Sequence, residues 1–212
     1  PAVEDPTDVK GFPFPSPDGT HARFLPFGVP AQILAAAQDA ERVIWFVDDL
    51  GQASEAVQKA YMQLFLARML GEYALPANVI FVAATNDRTH KAGVHLILEP
   101  VKSRFGSIIH LSADLSDWCA WAVAAGLPAE LIAFLRLHPA LLDAFETTAD
   151  IRHSPSPRTW AAFAKILSNP DIPAVARPEL LSGAVGEAAA TQFLAFGRMY
   201  REIPTVDAIL LN

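Results

Sequence analysis

The stretch VIWFVDDLGQAS, residues 43–54, decides the reading of the fold. Val43 to Val47 is a continuous apolar run of mostly β-branched and aromatic side chains, which suits a strand buried on both faces. It stops at two acids, Asp48 and Asp49. Beyond them Ser54 is a candidate N-cap for a helix over 54–70, in which Val57, Tyr61, Leu64, Phe65 and Met69 recur at helical spacing before Gly71. A second apolar run, VIFVAA at 79–84, ends in Thr85-Asn86-Asp87. A third, shorter strand is expected over Ser107–Leu111, after Arg104-Phe105-Gly106. Strand, long helix, strand, connection and strand is the order of a parallel α/β sheet.

Working outward, residues 1–30 are rich in turn formers, and Pro17-Asp18-Gly19 between Phe14 and Phe24 reads as a turn joining two extended segments. The alanine-rich run AQILAAAQDAER, 31–42, reads as a helix. After residue 113 the strand pattern ends, and helices are expected over 115–125, 129–137, 139–145, 157–167 and 186–201. In the last of these, Ala189, Phe193, Phe196 and Tyr200 form one apolar stripe. The expectation is an α/β part over 1–113 followed by an all-helical part over 114–212.

Composition narrows the function classes. With 212 residues, 52% of them apolar and 18% charged, the chain can bury enough surface to offset the entropy of ordering, so a disordered protein is excluded. A formal net charge of -7 gives no diffuse attraction to nucleic acid or to anionic membranes. The single cysteine, Cys119, excludes an internal disulfide framework and suits a reducing compartment. No window approaches the roughly 18 uninterrupted apolar residues of a membrane span, and no signal-peptide pattern opens the chain. A cytoplasmic protein is expected. His21, His90, His95, His110, His138 and His153 show no ligand spacing, and no G-x-S-x-G elbow is present. Cys119 sits on an apolar helix, and Trp118, Trp121 and Trp160 lack interleaved Lys or Arg, so all four read as packing residues.

The candidate chemistry lies at the strand ends. Two acids at the carboxyl end of a buried parallel strand occupy the place where open α/β sheets bind ligands. In a nucleotide hydrolase Asp48 would face Mg²⁺ through its water shell and Asp49 would polarise the attacking water; the competing reading is that one of them caps the next helix. Asn86, at the tip of the neighbouring strand, offers a donor and an acceptor together, although Thr85-Asn86-Asp87 taken alone reads as a turn. Arg104 carries the planar, permanently charged fork suited to phosphate contact across an interface, against the alternative of a solvated surface residue. Arg158 stands in Ser156-Pro157-Arg158 at the start of a helix, a position that the helix dipole disfavours for a cation.

Five pieces in order, VIWFVDDLGQAS, AVQKAYMQLFLARMLGEYALP, VAATND, EPVKSRF and SPRTWAAFAKIL, resemble the AAA+ ATPases, and within them the MoxR-like group. The resemblance runs from Asp5-Pro6-Thr7-Asp8-Val9-Lys10-Gly11 to the last helix. It implies a P-loop NTPase core with a helical lid, ATP and Mg²⁺ as cofactors, and hydrolysis at the interfaces of a ring, hexameric in this family. Asp48 and Asp49 would be the Walker B pair, Asn86 the sensor-one residue, Arg104 the arginine finger and Arg158 the sensor-two arginine. Hydrolysis would remodel a protein client, and a partner with a von Willebrand factor type A domain is implied in the same way.

Two departures stand out. The usual second acid is Glu, and Asp49 is one methylene shorter. No G-x-x-x-x-G-K-[ST] loop occurs among the 11 glycines, so the β- and γ-phosphates lack that loop's amides and lysine. The expectation is an incomplete AAA+ core: a fragment of a longer ATPase, lacking the segment before Pro1 that would place a strand between 79–84 and 107–111, and binding ATP poorly by itself. The alternative is a non-hydrolysing AAA+-like scaffold or adaptor subunit.

Overall fold

A computed structural model of the chain describes residues 5–86, 97–145 and 150–202. Asp87, His90 and His95 lie outside the described residues. The chain forms two compact units, 1–109 and 110–212, a division four residues before the one expected from the loss of strand pattern.

The first unit begins with a short helix α1 (Thr7–Lys10) and a hairpin of β1 (Phe12–Pro15) and β2 (Ala22–Leu25), paired Phe12 with Leu25 and Phe14 with Arg23. Gly11 joins helix to hairpin at φ 97°, and a Cβ there would stand 2.6 Å from the Leu25 carbonyl oxygen. The turn between the strands is held by Asp18, whose carboxylate accepts from the Ser16 and Thr20 hydroxyls; these bonds hold it below the ordinary carboxylate range. Helix α2 (Gly28–Asp39) follows and leads into β3 (Val43–Val47).

Strand β3 pairs in parallel with β6 (Val79–Ala83), Val43 opposite Val79 through Val47 opposite Ala83. The crossover between them contains α3 (Glu55–Ala67), which starts where Ser54 accepts a hydrogen bond from the Val57 N–H. It ends earlier than the apolar spacing suggests. Arg68 turns left-handed at φ 52°, and Met69–Leu70 and Tyr73–Ala74 form a two-residue hairpin, β4 with β5, around Gly71. The Arg68 guanidinium donates to the carbonyls of Pro76 and Val79, both at 2.8 Å, so the helix end is fastened to the start of β6.

One face of this sheet is packed. Trp45, Val47 and Val79 join Val57, Tyr61, Leu64 and Leu50 in the core of the unit. The opposite face is bare: Ile44 is 64% exposed, Phe46 55%, Ile80 47% and Val82 42%. The expectation of burial on both faces is therefore corrected for the described residues, because α3 covers one side and no described element covers the other. The third strand also fails to form. Residues 107–111 form no strand with any described segment, and Ile108, Ile109 and Leu111 are at least 75% exposed, so the sheet of β3 and β6 has two strands among the described residues. Before that segment comes α4 (Glu99–Lys102).

The second unit consists of helices and connecting segments, with no strand among its described residues: α5 (Leu115–Ala124), α6 (Ala129–Leu137), α7 (Pro157–Ser168), α8 (Arg177–Val185) and α9 (Glu187–Glu202). The helix expected over 139–145 is only a 3₁₀ turn at Pro139–Leu141, since His138 leaves helical geometry and Pro139 cannot donate to the helix before it. Asp114 caps α5, and a reciprocal Ser156–Thr159 capping box starts α7. Phe134, Trp160, Phe163 and Phe193 are fully buried and meet edge to face or tilted around the centre of the unit. Cys119 is buried in the same core. Trp118 and Trp160 are buried with their ring N–H groups on the carbonyls of Pro157 and Leu141, while Trp121 is half exposed. No helix among the described residues is long and apolar enough to cross a membrane.

Candidate functional site

The carboxyl ends of β3 and β6 bring Asp48, Asp49 and Asn86 to one edge of the sheet. Beyond the strands proper the ladder continues, with the Ala84 N–H donating to the Val47 carbonyl and the Leu50 N–H to the Ala84 carbonyl, each at 3.0 Å. The two acids are thus clamped in a turn against the tip of β6. Asn86 stands two residues past Ala84 and is exposed.

Asp49 stands at the N-cap position of a 3₁₀ turn, Leu50–Gln52, without a side-chain capping bond to its backbone, and Ser54 caps α3. Asp49 adopts a left-handed backbone at φ 53°, a conformation that Asp tolerates better than most residues and that recurs at functional turns. Its Oδ1 accepts from the Gln52 side-chain amide at 3.3 Å, and Asp48 Oδ1 accepts from the Asp49 N–H at 3.1 Å. Among the described residues no Lys, Arg or His forms an ion pair with either acid.

Both acids line a cavity of about 440 Å³ whose other walls include Asp8, Phe27, Gly28, Val29, Trp45 and Tyr61. Tyr61 is 2% exposed, and its burial, with a smaller contribution from the Asp8 carboxylate, pushes the phenol up to about 12. It is a neutral donor at physiological pH. Sequence reasoning placed Tyr61 in the apolar stripe of α3 and did not single it out; a phenol inside an otherwise hydrocarbon stripe is the signal that could have done so, since a buried hydroxyl needs a partner.

Two adjacent carboxylates suit Mg²⁺ that keeps part of its water shell and takes its remaining oxygens from phosphate. They do not form an all-protein cage, and no cluster of three or more His, Cys, Asp or Glu suited to a metal occurs among the described residues.

The two arginines belong to different units. Arg104 follows α4 in the first unit, exposed, with one guanidinium nitrogen on the Ser103 hydroxyl at 3.3 Å. Arg158 belongs to the second unit, in the first turn of α7; it is exposed and has no hydrogen bond or ion pair among the described residues. Asp48, Asp49 and Asn86 therefore follow two neighbouring parallel strands at the same end of the sheet, and the side chains of Arg104 and Arg158 are exposed. Comparison with protein-family models, with curated proteins and with solved structures found no match for this chain.

Proposed function

We propose that the chain is part of a cytoplasmic AAA+ ATPase of the MoxR-like group, which hydrolyses ATP at the interfaces of a self-assembled ring and uses the motion to remodel a protein client. The observation that supports this reading is the pair Asp48–Asp49, held against the tip of the parallel neighbour strand and without an ion pair among the described residues. Asp48 would hold Mg²⁺ through its water shell, and that ion, bound with ATP, would supply charge neutralisation at the phosphates. Asp49, one methylene shorter than the usual Glu, would accept the proton of the attacking water. Asn86 orients that water with its amide. The solvent-directed fork of Arg104 suits a neighbour's phosphates, and Arg158 would act from the helical unit.

The test is ATP turnover by the native full-length protein. Asp48→Ala abolishes it, and turnover unchanged by that substitution overturns the Walker B assignment. Arg104→Ala also loses turnover, and mixing it with the Asp48→Ala subunit restores part of it if the arginine acts in a neighbour's site.

A second reading is a non-hydrolysing AAA+-like scaffold or adaptor, favoured by the lack of a G-x-x-x-x-G-K-[ST] sequence within these 212 residues and by Asp49. Nucleotide bound by the full-length protein without turnover, with assembly intact, would select it. A von Willebrand factor type A domain protein is a partner to try in either case.

A further inference from the structure

Gln58 lies wholly inside the first unit, at 0% exposure, on a helix whose other buried residues are Val57, Ala60, Tyr61 and Leu64. An amide in such a place costs free energy unless its donor and its acceptor are both matched. They are matched by two separate segments: Nε2 donates to the Ala53 carbonyl at 3.0 Å, and Oε1 accepts from the N–H of Leu98, 40 residues further on, at 2.9 Å. A methionine would fill the same space. What the amide adds is the join.

On one side of the join is the turn that holds the acids. The Gln52 N–H donates to the Asp49 carbonyl at 2.8 Å, and the Ala53 N–H to the Leu50 carbonyl at 3.3 Å. On the other side is α4. The N–H groups of Val101 and Lys102 return to the Leu98 carbonyl, and that of Arg104 to the Val101 carbonyl at 3.1 Å. Val101 is fully buried, and Phe105 meets Phe65 of α3 with ring centroids 5.2 Å apart. Arg104 thus rides on a short arm whose first residue hangs on Gln58. The two sides are not held equally. The Asp49 turn has a second anchor, because the Leu50 N–H donates to the Ala84 carbonyl. The Leu98 N–H stands before the first turn of α4, where no carbonyl of that helix can accept it, and Gln58 takes it. Loss of the amide therefore loosens the arm before it loosens the acids.

We propose that Gln58 is a positioning residue for Arg104: it fixes the arm that offers this arginine to the neighbouring subunit, and fixes it relative to the Asp48–Asp49 turn of its own subunit. The role given to Arg104 rests on the ATPase reading. The tether itself is a property of the fold and is measurable without turnover.

Gln58→Met keeps the volume and removes both bonds. Amide hydrogen exchange of the native full-length protein reads the tether: residues 98–104 exchange at least fivefold faster in the variant, while 48–53 stay within about twofold of wild type. Mixed subunits read the function. Asp48→Ala, whose own site is disabled, lends its arginine to Arg104→Ala and restores part of the turnover. The donor Asp48→Ala with Gln58→Met restores less than about a fifth as much. The acceptor Arg104→Ala with Gln58→Met, served by the Asp48→Ala subunit, keeps kcat and KM for ATP within about twofold of Arg104→Ala served in the same way. A general folding defect would weaken donor and acceptor alike. Unchanged exchange over 98–104, equal losses in the two roles, or full restoration by the doubly substituted donor overturns the proposal and leaves the ATPase reading standing. Turnover indifferent to Asp48→Ala, or no restoration in the plain mixture of Asp48→Ala with Arg104→Ala, overturns the assignments of the ATPase reading and the proposal with them.

Discussion

The side-chain carbonyl of Gln58 accepts a hydrogen bond from the Leu98 N–H at 2.9 Å, while its amide donates to the Ala53 carbonyl at 3.0 Å. Gln58 is fully buried, so a single polar side chain on α3 ties the turn after Asp49 to the start of α4 and hence to the segment carrying Arg104. Replacement by Leu keeps the bulk but leaves buried main-chain groups without these partners, at about 1–3 kcal/mol for such a group. Urea denaturation of Gln58→Leu is expected to show a loss of that size. A loss below about 0.5 kcal/mol, within the range of ordinary surface substitutions, would mean that water or a shifted backbone replaces both bonds.

The two faces of the β3–β6 sheet offer a direct contrast. Trp45 is 3% exposed and Ile44 64%, although they are adjacent in one apolar run. Trp45→Ala should cost about 3–5 kcal/mol as a core truncation. The double variant Ile44→Thr and Ile80→Thr should change stability by less than about 1 kcal/mol and should lower binding of a hydrophobic dye. If the Thr variant instead loses as much as the Trp variant, something covers that face in solution.

That contrast marks the limit of what was legible in the sequence. Continuous apolar runs located both paired strands, and the acids at the end of one of them, because local composition decides where a buried strand stops. The same runs could not say which face would be covered, since that depends on elements elsewhere in the chain. Residues 107–111 have strand-forming side chains, but a strand exists only with a partner, and none is described beside them. Met69 fitted the helical period of α3, yet the left-handed turn at Arg68, fastened to two distant carbonyls, ended the helix first. Helix α8 was missed because Pro178, Ser182 and Gly183 break its apolar period. Of the cavity residues, Asp48 and Asp49 announce themselves by breaking an apolar run, whereas Tyr61 is hidden inside one.

Gly11 is required by its backbone. It combines φ 97° with a Cβ position 2.6 Å from the Leu25 carbonyl oxygen, which belongs to a paired strand and has little freedom to move. Gly11→Ala should therefore destabilise the first unit by about 2 kcal/mol or more, from left-handed strain and overpacking together. Gly19→Ala is the control: its φ is 69°, but a Cβ there meets nothing within 4 Å, so only the conformational cost remains. Equal losses in the two variants, measured by thermal denaturation, would show that the Leu25 contact adds nothing.

Tyr61 gives the first unit a pH dependence on the alkaline side. Its phenol is raised from 10.0 to about 12, chiefly by burial and secondarily by the Asp8 carboxylate. Below pH 10 the folded and unfolded chains both keep the proton, and its contribution to stability is fully present. Between pH 10 and about 12 the unfolded chain releases the proton while the folded chain retains it, so the unfolded state gains and stability falls as pH rises. Above about 12 both forms are ionised and the loss levels off. Tyr61→Phe removes the group from this linkage. Urea midpoints taken from pH 8 to 11.5 should decline more steeply in wild type than in Tyr61→Phe, with the curves separating above pH 10. Parallel curves across that window would mean that the phenol ionises as readily in the folded chain as in the unfolded one, and that the cavity wall around Tyr61 is wet.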